Sequence, residues 1–315
     1  MSQRPRSVKL RSKGHIAAPR MWPTWLLVGC AWCIAHLPMR AIFVLGQWVG
    51  VAMFHLARGR RHVTLTNLRL CFPELDKPEV QQMARRVFQE VAIGALELMV
   101  PWLNPGRDLS ARMEIEGLSH LQAALAAKRG VILVGGHFAV MDVISQGLSQ
   151  CGPIDVMYRF NKNPVWEWLQ VQGRRRYFDG VIERQDTRDV LRRLRRGRAI
   201  WYATDQDYGA KHSVFAPFFG IETATIVATS RFARLNNSPV LTLQQTRDRA
   251  RGVWRIKFHP VLENFPSGDD AADAARLNAH LEVMVRENPE QYLWLHKRVK
   301  TRPPGEARLY KRKTD

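Results

Sequence analysis

A short apolar run at residues 131–134 leads into the pair Gly135-Gly136, then His137, and Asp142 follows five positions later. The branched aliphatic run predicts a buried strand, and the glycines predict a sharp turn into a helix over residues 138–150. Ligands of α/β sheets gather at the carboxyl ends of strands. His137 is therefore the first candidate functional residue, in the role of a general base.

Predicted strands and helices alternate from about residue 111 onward. Further strands are expected at residues 154–158, 181–182, 199–203, 240–245 and 253–258, and helices at 163–176, 187–196, 225–235 and 271–286. The last two strands follow one another closely enough to pair antiparallel. The pattern predicts an α/β fold with a mixed central β-sheet flanked by helices.

An apolar region precedes this domain and is interrupted by Pro38-Met39-Arg40. Its two parts, residues 24–37 and 41–57, are each shorter than the roughly 20 residues of a comfortable spanning helix. Basic residues flank both parts, so a single span would place one basic flank on the non-cytoplasmic side of the membrane, contrary to the positive-inside rule. The sequence predicts a membrane-associated helical hairpin or in-plane anchor. A buried hairpin of a soluble domain is the alternative.

The chain is thus expected to divide into five segments. They are a disordered basic leader (1–20), the membrane anchor (21–60), a helical region packing on the core (61–110), the α/β domain (111–302) and a basic tail (303–315). Within the third segment, apolar residues spaced along 78–99 predict an amphipathic helix.

The chain carries 48 Lys and Arg against 28 Asp and Glu, a formal net charge of +20. Such an excess favours nucleic acid, an anionic membrane or an acidic protein as partner. No nucleic-acid module surrounds the arginine-rich helix at 187–196, which favours the other two. Cys30 and Cys33 lie in an apolar segment without a second pair, so packing is expected there rather than a metal or redox site.

His137 and Asp142 would not share a face of one helix, because five residues correspond to about 140° of rotation. With His137 in the glycine turn, its imidazole can fold back toward the carboxylate. Asp142 would then fix the tautomer and stabilise an imidazolium, while the helix N-terminus supplies amides to an oxyanion. The alternative is an ordinary loop histidine beside an unrelated aspartate.

His137-x4-Asp142 resembles the signature shared by glycerophospholipid acyltransferases and bacterial lipid A acyltransferases. Further blocks follow in the family's order: Tyr158-Arg159, Trp166-Glu167-Trp168, Gly173-Arg174 and residues 180–184, 205–209, 215–220 and 294–303. Together, over about residues 22–310, they resemble the late, lauroyl/myristoyl-type acyltransferases of lipid A biosynthesis. The chain departs from that branch at Asp142, where the branch often carries Glu.

The resemblance implies transfer of a fatty acyl chain from acyl carrier protein to a hydroxyl of a lipid A precursor. His137 and Asp142 would act as the catalytic pair, with no cofactor, no metal and no nucleic-acid partner. It also implies a place at the bacterial inner membrane, on anionic inner-leaflet lipid, with the catalytic domain on the cytoplasmic face. The alternatives are an acyltransferase for another lipid, such as a lysophospholipid, and a non-catalytic protein that binds anionic membrane or nucleic acid.

The matched blocks also suggest substrate-binding residues. Arg184 matches the arginine of the family's second block and would bind an acceptor phosphate, because a guanidinium suits phosphate oxygens. Arg159 is a similar candidate. Asp205 and Asp207, which flank Gln206, would order the site by pairing with arginines, with a cation site as the alternative.

Aromatic residues of the 215–220 block suggest a path for the acyl chain. Phe218 and Phe219, with Phe215, would line it, and simple core packing is the alternative reading. The acyl chain length and the acceptor hydroxyl cannot be read from these residues.

Overall fold

The computed structural model describes residues 16–310. Most of the predicted basic leader and the last five residues of the predicted basic tail lie outside the described residues. The helices are α1 (Trp22–Ala35), α2 (Met39–Leu56), α3 (Arg58–Cys71), α4 (Lys77–Glu97), α5 (Met99–Leu103), α6 (Leu118–Ala126), α7 (Ser145–Leu148), α8 (Pro164–Arg175), α9 (Thr187–Leu194), α10 (Ala228–Asn236) and α11 (Asp270–Glu287). The strands are β1 (Met113–Glu116), β2 (Val131–Gly135), β3 (Ile154–Tyr158), β4 (Val181–Glu183), β5 (Ala199–Ala203), β6 (Ser213–Phe218), β7 (Ile221–Ile226), β8 (Val240–Asp248) and β9 (Val253–Val261).

One seven-stranded sheet, in the order β1-β9-β8-β2-β5-β3-β4, forms the centre of the described residues. Strands β8, β2, β5, β3 and β4 are parallel, and β9 joins β8 antiparallel, with β1 parallel to β9. Strands β6 and β7 form a separate hairpin. The predicted α/β class with a mixed sheet is confirmed. Because β2 to β5 are parallel, their carboxyl ends meet at one edge, as the site requires.

Two predicted helices differ from the structure. The helix expected at 138–150 is reduced to α7, and residues 139–144 form turns. Their backbone is used elsewhere, since Phe138 forms a β-bridge with Tyr292 and the Ala139 N–H donates to the Gln291 carbonyl at 2.8 Å. The expected helix at 225–235 begins later, at Ala228, because Thr225 and Ile226 complete strand β7. The next described helix after His137 begins only at Ser145, so no helix N-terminus lies directly after this histidine.

The two N-terminal apolar helices lie on the domain. In α2, Gly46 and Gly50 approach the backbone of α4 so closely that a Cβ at either position would overlap it. In α1, Trp25 packs beside Trp168 of α8, with ring centroids 6.0 Å apart. Among the described helices, α2 is the one long and apolar enough to cross a membrane, judged only by length and composition. The outer faces leave large apolar side chains exposed: Trp22, Leu26, Leu27, Trp32, Val44, Trp48 and Leu56.

Helix α4 fixes the loop that carries the candidate histidine. Arg247 of β8 is buried and ion-paired with Glu90 and Glu97, both buried on α4, which ties this helix to the sheet. Such a pair is costly to break from one side, because the remaining charge stays buried. About one turn of α4 beyond Glu90, Gly94 lies so close to the histidine loop that a Cβ at this position would overlap the Ala139 carbonyl.

We expect Gly94→Ala to move the loop behind His137 and to destabilise the fold. Overpacking of this kind typically lowers the free energy of unfolding by about 1–3 kcal/mol. The clash is with backbone atoms, which can move only if the rest of the loop moves with them. Gly29→Ala in α1 is the matched control, since a Cβ there meets no atom within 4 Å, and it should be neutral or stabilising by up to about 1 kcal/mol. Denaturant unfolding measures both. Equal stability of the two variants would contradict the close approach.

Candidate active site

The carboxyl edge of the parallel strands collects the residues singled out from the sequence. His137 lies two residues after β2, and Asp205 lies two residues after β5. Arg159 and Arg184 come directly after β3 and β4. Strands β2 and β5 are neighbours, paired from Val131–Ala199 to Gly135–Ala203, so the side chains that follow them at equal offsets are brought side by side.

The His137 ring is held by Asp205. Its Nδ1 hydrogen-bonds to Oδ1 of that carboxylate, and the His137 backbone N–H donates to Oδ2 at 2.8 Å. With the proton on Nδ1, the other ring nitrogen carries the lone pair. The side-chain amide of Gln206 then donates to Nε2 at 3.0 Å. The arrangement fixes one tautomer and presents Nε2 as a base.

Asp205 is suited to stay ionised. Burial by itself raises its pKa, but the charge of a protonated His137, the two hydrogen bonds from that residue and the charge of Arg298 act more strongly together and lower the pKa far below its usual value. A buried carboxylate in this state stabilises a positive charge on the neighbouring imidazole. The carboxylate of Asp205 would therefore stabilise the imidazolium that forms when Nε2 accepts a proton.

Asp142, the expected partner of His137, is bound elsewhere. Its carboxylate accepts two hydrogen bonds from Arg174 of α8, Nε to Oδ1 at 2.7 Å and Nη2 to Oδ2 at 2.9 Å. Both side chains are buried. The turns at 139–144 replace the expected helix, and α8 supplies a cation to the carboxylate. The structure thus corrects the predicted pairing: Asp205 contacts His137, and Asp142 joins the histidine loop to α8.

A cavity of about 940 Å³ is lined by His137 and Gln206. Strands β3 and β5 pair only as far as Val156–Trp201, and residues of both strands beyond that point line the cavity. The cavity therefore reaches both faces of the sheet. On one face lie Tyr158 and Trp201, and on the other lie Met157 and Tyr202, which belong to a different core cluster.

Arginine side chains stand around the cavity. Arg159, Arg184 and Arg231 line it, together with His212. The Arg184 guanidinium lies 4.8 Å from the centre of the Tyr208 ring, and its Nη1 is buried without a hydrogen-bond partner among the described residues. A buried donor without a partner is unusual and marks a place for a ligand acceptor. An anionic group is the acceptor that this charge favours.

Asp207 has a bridging position in the loop after β5. Its carboxylate accepts hydrogen bonds from the Thr301 backbone and hydroxyl at 2.6 and 2.8 Å, and from the Gly209 N–H at 2.9 Å. The sequence predicts that Asp205 and Asp207 pair with arginines, but the hydrogen bonds that hold Asp207 come from Thr301 and Gly209. Within residues 16–310, no three His, Cys, Asp or Glu side chains come together in a way that could hold a metal ion.

Phe218 and Phe219 do not line this cavity, so the structure does not bring them together with His137 there, and the acyl path along them stays a prediction. They pack in a separate aromatic cluster with Phe72, Tyr292 and Trp294. The reason is the β6–β7 hairpin, which lies on α11 and directs its aromatic residues into that cluster. Phe215, offered with them, is likewise absent from the cavity lining.

His296 was not assigned a role from the sequence, although it lies in a block that resembles the family's ending. Its ring stacks beside that of His137, with centroids 6.0 Å apart and planes inclined by 26°. Burial, followed by the nearness of His137, lowers the pKa of His296 to about 4. The neighbour of the candidate base is therefore a neutral ring at pH 7. Only the fold reveals this contact, since the two residues are far apart in sequence.

Comparisons with known proteins agree on one family. The family profile described as "Bacterial lipid A biosynthesis acyltransferase" matches residues 10–301. The chain is 35% identical to the lipid A biosynthesis palmitoleoyltransferase of Escherichia coli K12 over 93% of this chain and 95% of that protein. It is also 35% identical to the lauroyltransferase of that organism, over 93% and 96%, and 30% identical to its myristoyltransferase, over 94% and 92%.

We expect His296 to make the protein sensitive to mild acid. Its folded pKa lies below its usual value of 6.5, so the unfolded chain binds a proton that the folded protein excludes. The contribution of the neutral His296 ring to the free energy of unfolding is complete above about pH 6.5 and is lost progressively as the pH falls toward 4. It amounts to at most about 3 kcal/mol, less for a partly exposed ring. Denaturant unfolding of wild type and His296→Gln at a series of pH values measures this contribution. The same dependence of the unfolding free energy on pH in both proteins would contradict the lowered pKa of His296.

Proposed function

Since the chain belongs to the family of bacterial lipid A biosynthesis acyltransferases, and is thus an acyltransferase of lipid A biosynthesis, we propose a specific reaction for it. It moves a fatty acyl chain from the thioester of acyl carrier protein to a hydroxyl of a lipid A precursor. The observation that carries this proposal is the His137–Asp205 pair, with His137 at the wall of a large cavity.

His137 acts as the general base in this reaction. The acceptor hydroxyl takes the place of the Gln206 amide at Nε2 and gives up its proton there as its oxygen attacks the thioester carbonyl. Asp205 stabilises the imidazolium that forms. When the tetrahedral intermediate collapses, the carbon–sulfur bond breaks and the imidazolium returns the proton to the leaving sulfur. The displaced Gln206 amide is a donor for the oxyanion, in place of the helix N-terminus expected from the sequence.

Arg184 and Arg159 bind acceptor phosphate in this account. The unpartnered buried Nη1 of Arg184 supports this role, as does the position of both arginines after neighbouring strands at the cavity. A phosphate oxygen would complete the hydrogen bonding of Nη1 and neutralise the charge gathered there.

The carrier protein is proposed to dock on α9. Arg188, Arg192, Arg195 and Arg196 are exposed around this helix, beside the cavity wall, whereas Arg193 is committed to the buried Asp155 at 3.0 Å. Acyl carrier protein is acidic, and a cluster of exposed guanidinium groups attracts such a surface. This surface needs no nucleic acid to explain it.

The exposed apolar faces of α1 and α2 support binding to the inner membrane from its cytoplasmic face. Arg20, Arg40 and Arg58 are exposed near the helix ends, where they can reach anionic headgroups. Flotation of the purified protein with anionic vesicles tests this proposal, and recovery only in the dense, lipid-free fraction would contradict it.

The roles of the two aspartates can be separated by matched substitutions. Asp205→Asn should lower kcat by about 10²–10⁴, because the ring loses its fixed tautomer and the compensating charge. Asp142→Asn should instead destabilise the protein by about 3–5 kcal/mol, because it leaves Arg174 buried without its anion. Initial rates with acyl carrier protein thioester and lipid A precursor, taken across pH, and unfolding curves measure both.

Two results together would contradict this assignment of roles. The Asp142→Asn protein would fold and show a displaced pH–rate profile, and the Asp205→Asn protein would keep the wild-type profile. Transfer to a lysophospholipid in place of the lipid A precursor would contradict the proposed acceptor.

Arg184→Ala is expected to raise KM for the phosphorylated acceptor about 10- to 100-fold, because one charged hydrogen bond is lost. Arg234→Ala on α10 is the control, since Arg234 is exposed and pairs with Asp270 at 3.2 Å. Steady-state kinetics with varied acceptor measure the effect. A fall in kcat with an unchanged KM would exclude a role in acceptor binding.

A further inference from the structure

We propose that the groove between α9 and α10 holds the acyl chain of the donor, and that Leu191 and Leu235 set the chain length the enzyme prefers. The inference rests on the proposed acyl-transfer function and adds to it the place of the chain. The groove is the part of the cavity on the face of the sheet that carries α9 and α10. Its apolar lining residues are Met157, Leu191, Tyr202, Val227, Phe232 and Leu235, and the exposed Arg231 of α10 also lines this part of the cavity.

The groove begins at the reacting end of the site. His137 and Gln206 line the same cavity, which is also lined by the ends of β3 and β5 beyond their last pair. From there α9 runs back along the sheet toward β5, and α10 runs back toward β8, ending where Asn236 bonds the Arg129 carbonyl at 2.6 Å. An extended slot thus leads away from the base. The nine residues of α10 correspond to about 13 Å.

The lining chemistry fits an aliphatic chain. Met157 and Tyr202 form the floor and belong, with Leu191 and Phe232, to one apolar cluster on this face of the sheet. The hydroxyl of Tyr202 is already satisfied, since it donates to Thr229 at 2.8 Å. A chain that offers only methylene groups can fill such a slot without leaving a polar group unpaired. Arg159 and Arg184 lie at the carboxyl edge of the sheet, as His137 does, whereas Arg231 of α10 borders the groove and is exposed.

The other face of the sheet suits the acceptor. There the cavity is lined by Gln170 and by Arg174, which is held by Asp142, so polar groups stand beside Met141 and Trp201 on this face. Helix α8 carries both Gln170 and Arg174 and also contacts α1, whose outer face is apolar and exposed. A lipid acceptor entering from the membrane side would therefore reach His137 from this face. The donor chain is left with the groove between α9 and α10.

The far end of the groove determines length. Chemistry fixes the carbonyl end of the chain beside His137, so each added methylene must be accommodated farther along. Leu235 lies in the last turn of α10 and remains 63% exposed although it lines the cavity. Leu191 lies on the opposite wall. A pocket of fixed length discriminates one methylene by about 10- to 200-fold at best.

The test is a competition among acyl carrier protein thioesters of ten to sixteen carbons, with the full-length protein and one lipid A precursor, read by mass spectrometry of the product. Leu191→Phe narrows the groove and should shift the product ratio toward shorter chains by about tenfold or more. Leu235→Ala opens the far end and should shift it toward longer chains. Because Leu235 is exposed, this second variant keeps the test valid if Leu191→Phe does not fold.

Val283→Phe is the control, since Val283 is exposed on α11 and does not line the cavity, and it should keep the wild-type ratio. If the Leu191 and Leu235 variants transfer acyl chains well and select among donors as wild type does, the groove assignment is overturned, and the proposed acyl-transfer function is not. Altered selection among acceptors of different chain length, with unchanged donor preference, would assign the groove to the acceptor and overturn it as well. Absence of transfer by wild type from every donor would contradict the proposed function itself.

Discussion

The hydrogen bonds between His137 and Asp205 are the contact on which the rest of the site depends. They arise from sheet topology, because β2 and β5 are adjacent and parallel and end at the same level. The carboxylate fixes the ring through one oxygen and the backbone through the other. One interaction therefore sets the position, the tautomer and the charge preference of the candidate base. A pair built from neighbouring strands is more rigid than one built within a single loop.

The surrounding structure holds this pair in place from three sides. Residues 291–293 bind the backbone on either side of Phe138, and the Leu293 N–H donates to the His137 carbonyl at 2.9 Å. Helix α4 lies against Ala139 through Gly94 and is itself tied to β8 by Arg247. The ion pair of Asp142 with Arg174 fixes the end of the same loop to α8. Each contact restricts the loop, so the candidate base is held in one position.

The sequence was sufficient for the class of fold and for the position of His137, because aliphatic runs and glycine turns are local signals. It was insufficient for the partner of His137, since Asp205 is 68 positions away and only strand order brings it near. The spacing to Asp142 was misleading because long-range pairing with Tyr292 prevents the expected helix. The packing of Phe218 in the aromatic cluster was also beyond the sequence, because alternation along a strand does not reveal which element covers it. The contact of His296 with His137 could be recognised only in the folded structure, because the two residues are far apart in sequence.

The central claim is that His137, held by Asp205, is the base for acyl transfer to a lipid A precursor. Mass spectrometry of the precursor after incubation with purified protein and acyl carrier protein thioester tests it most directly. The account predicts that wild type adds the mass of one fatty acyl chain, and that His137→Ala, with wild-type stability, adds essentially none. Equal acylation by the two proteins would contradict the claim.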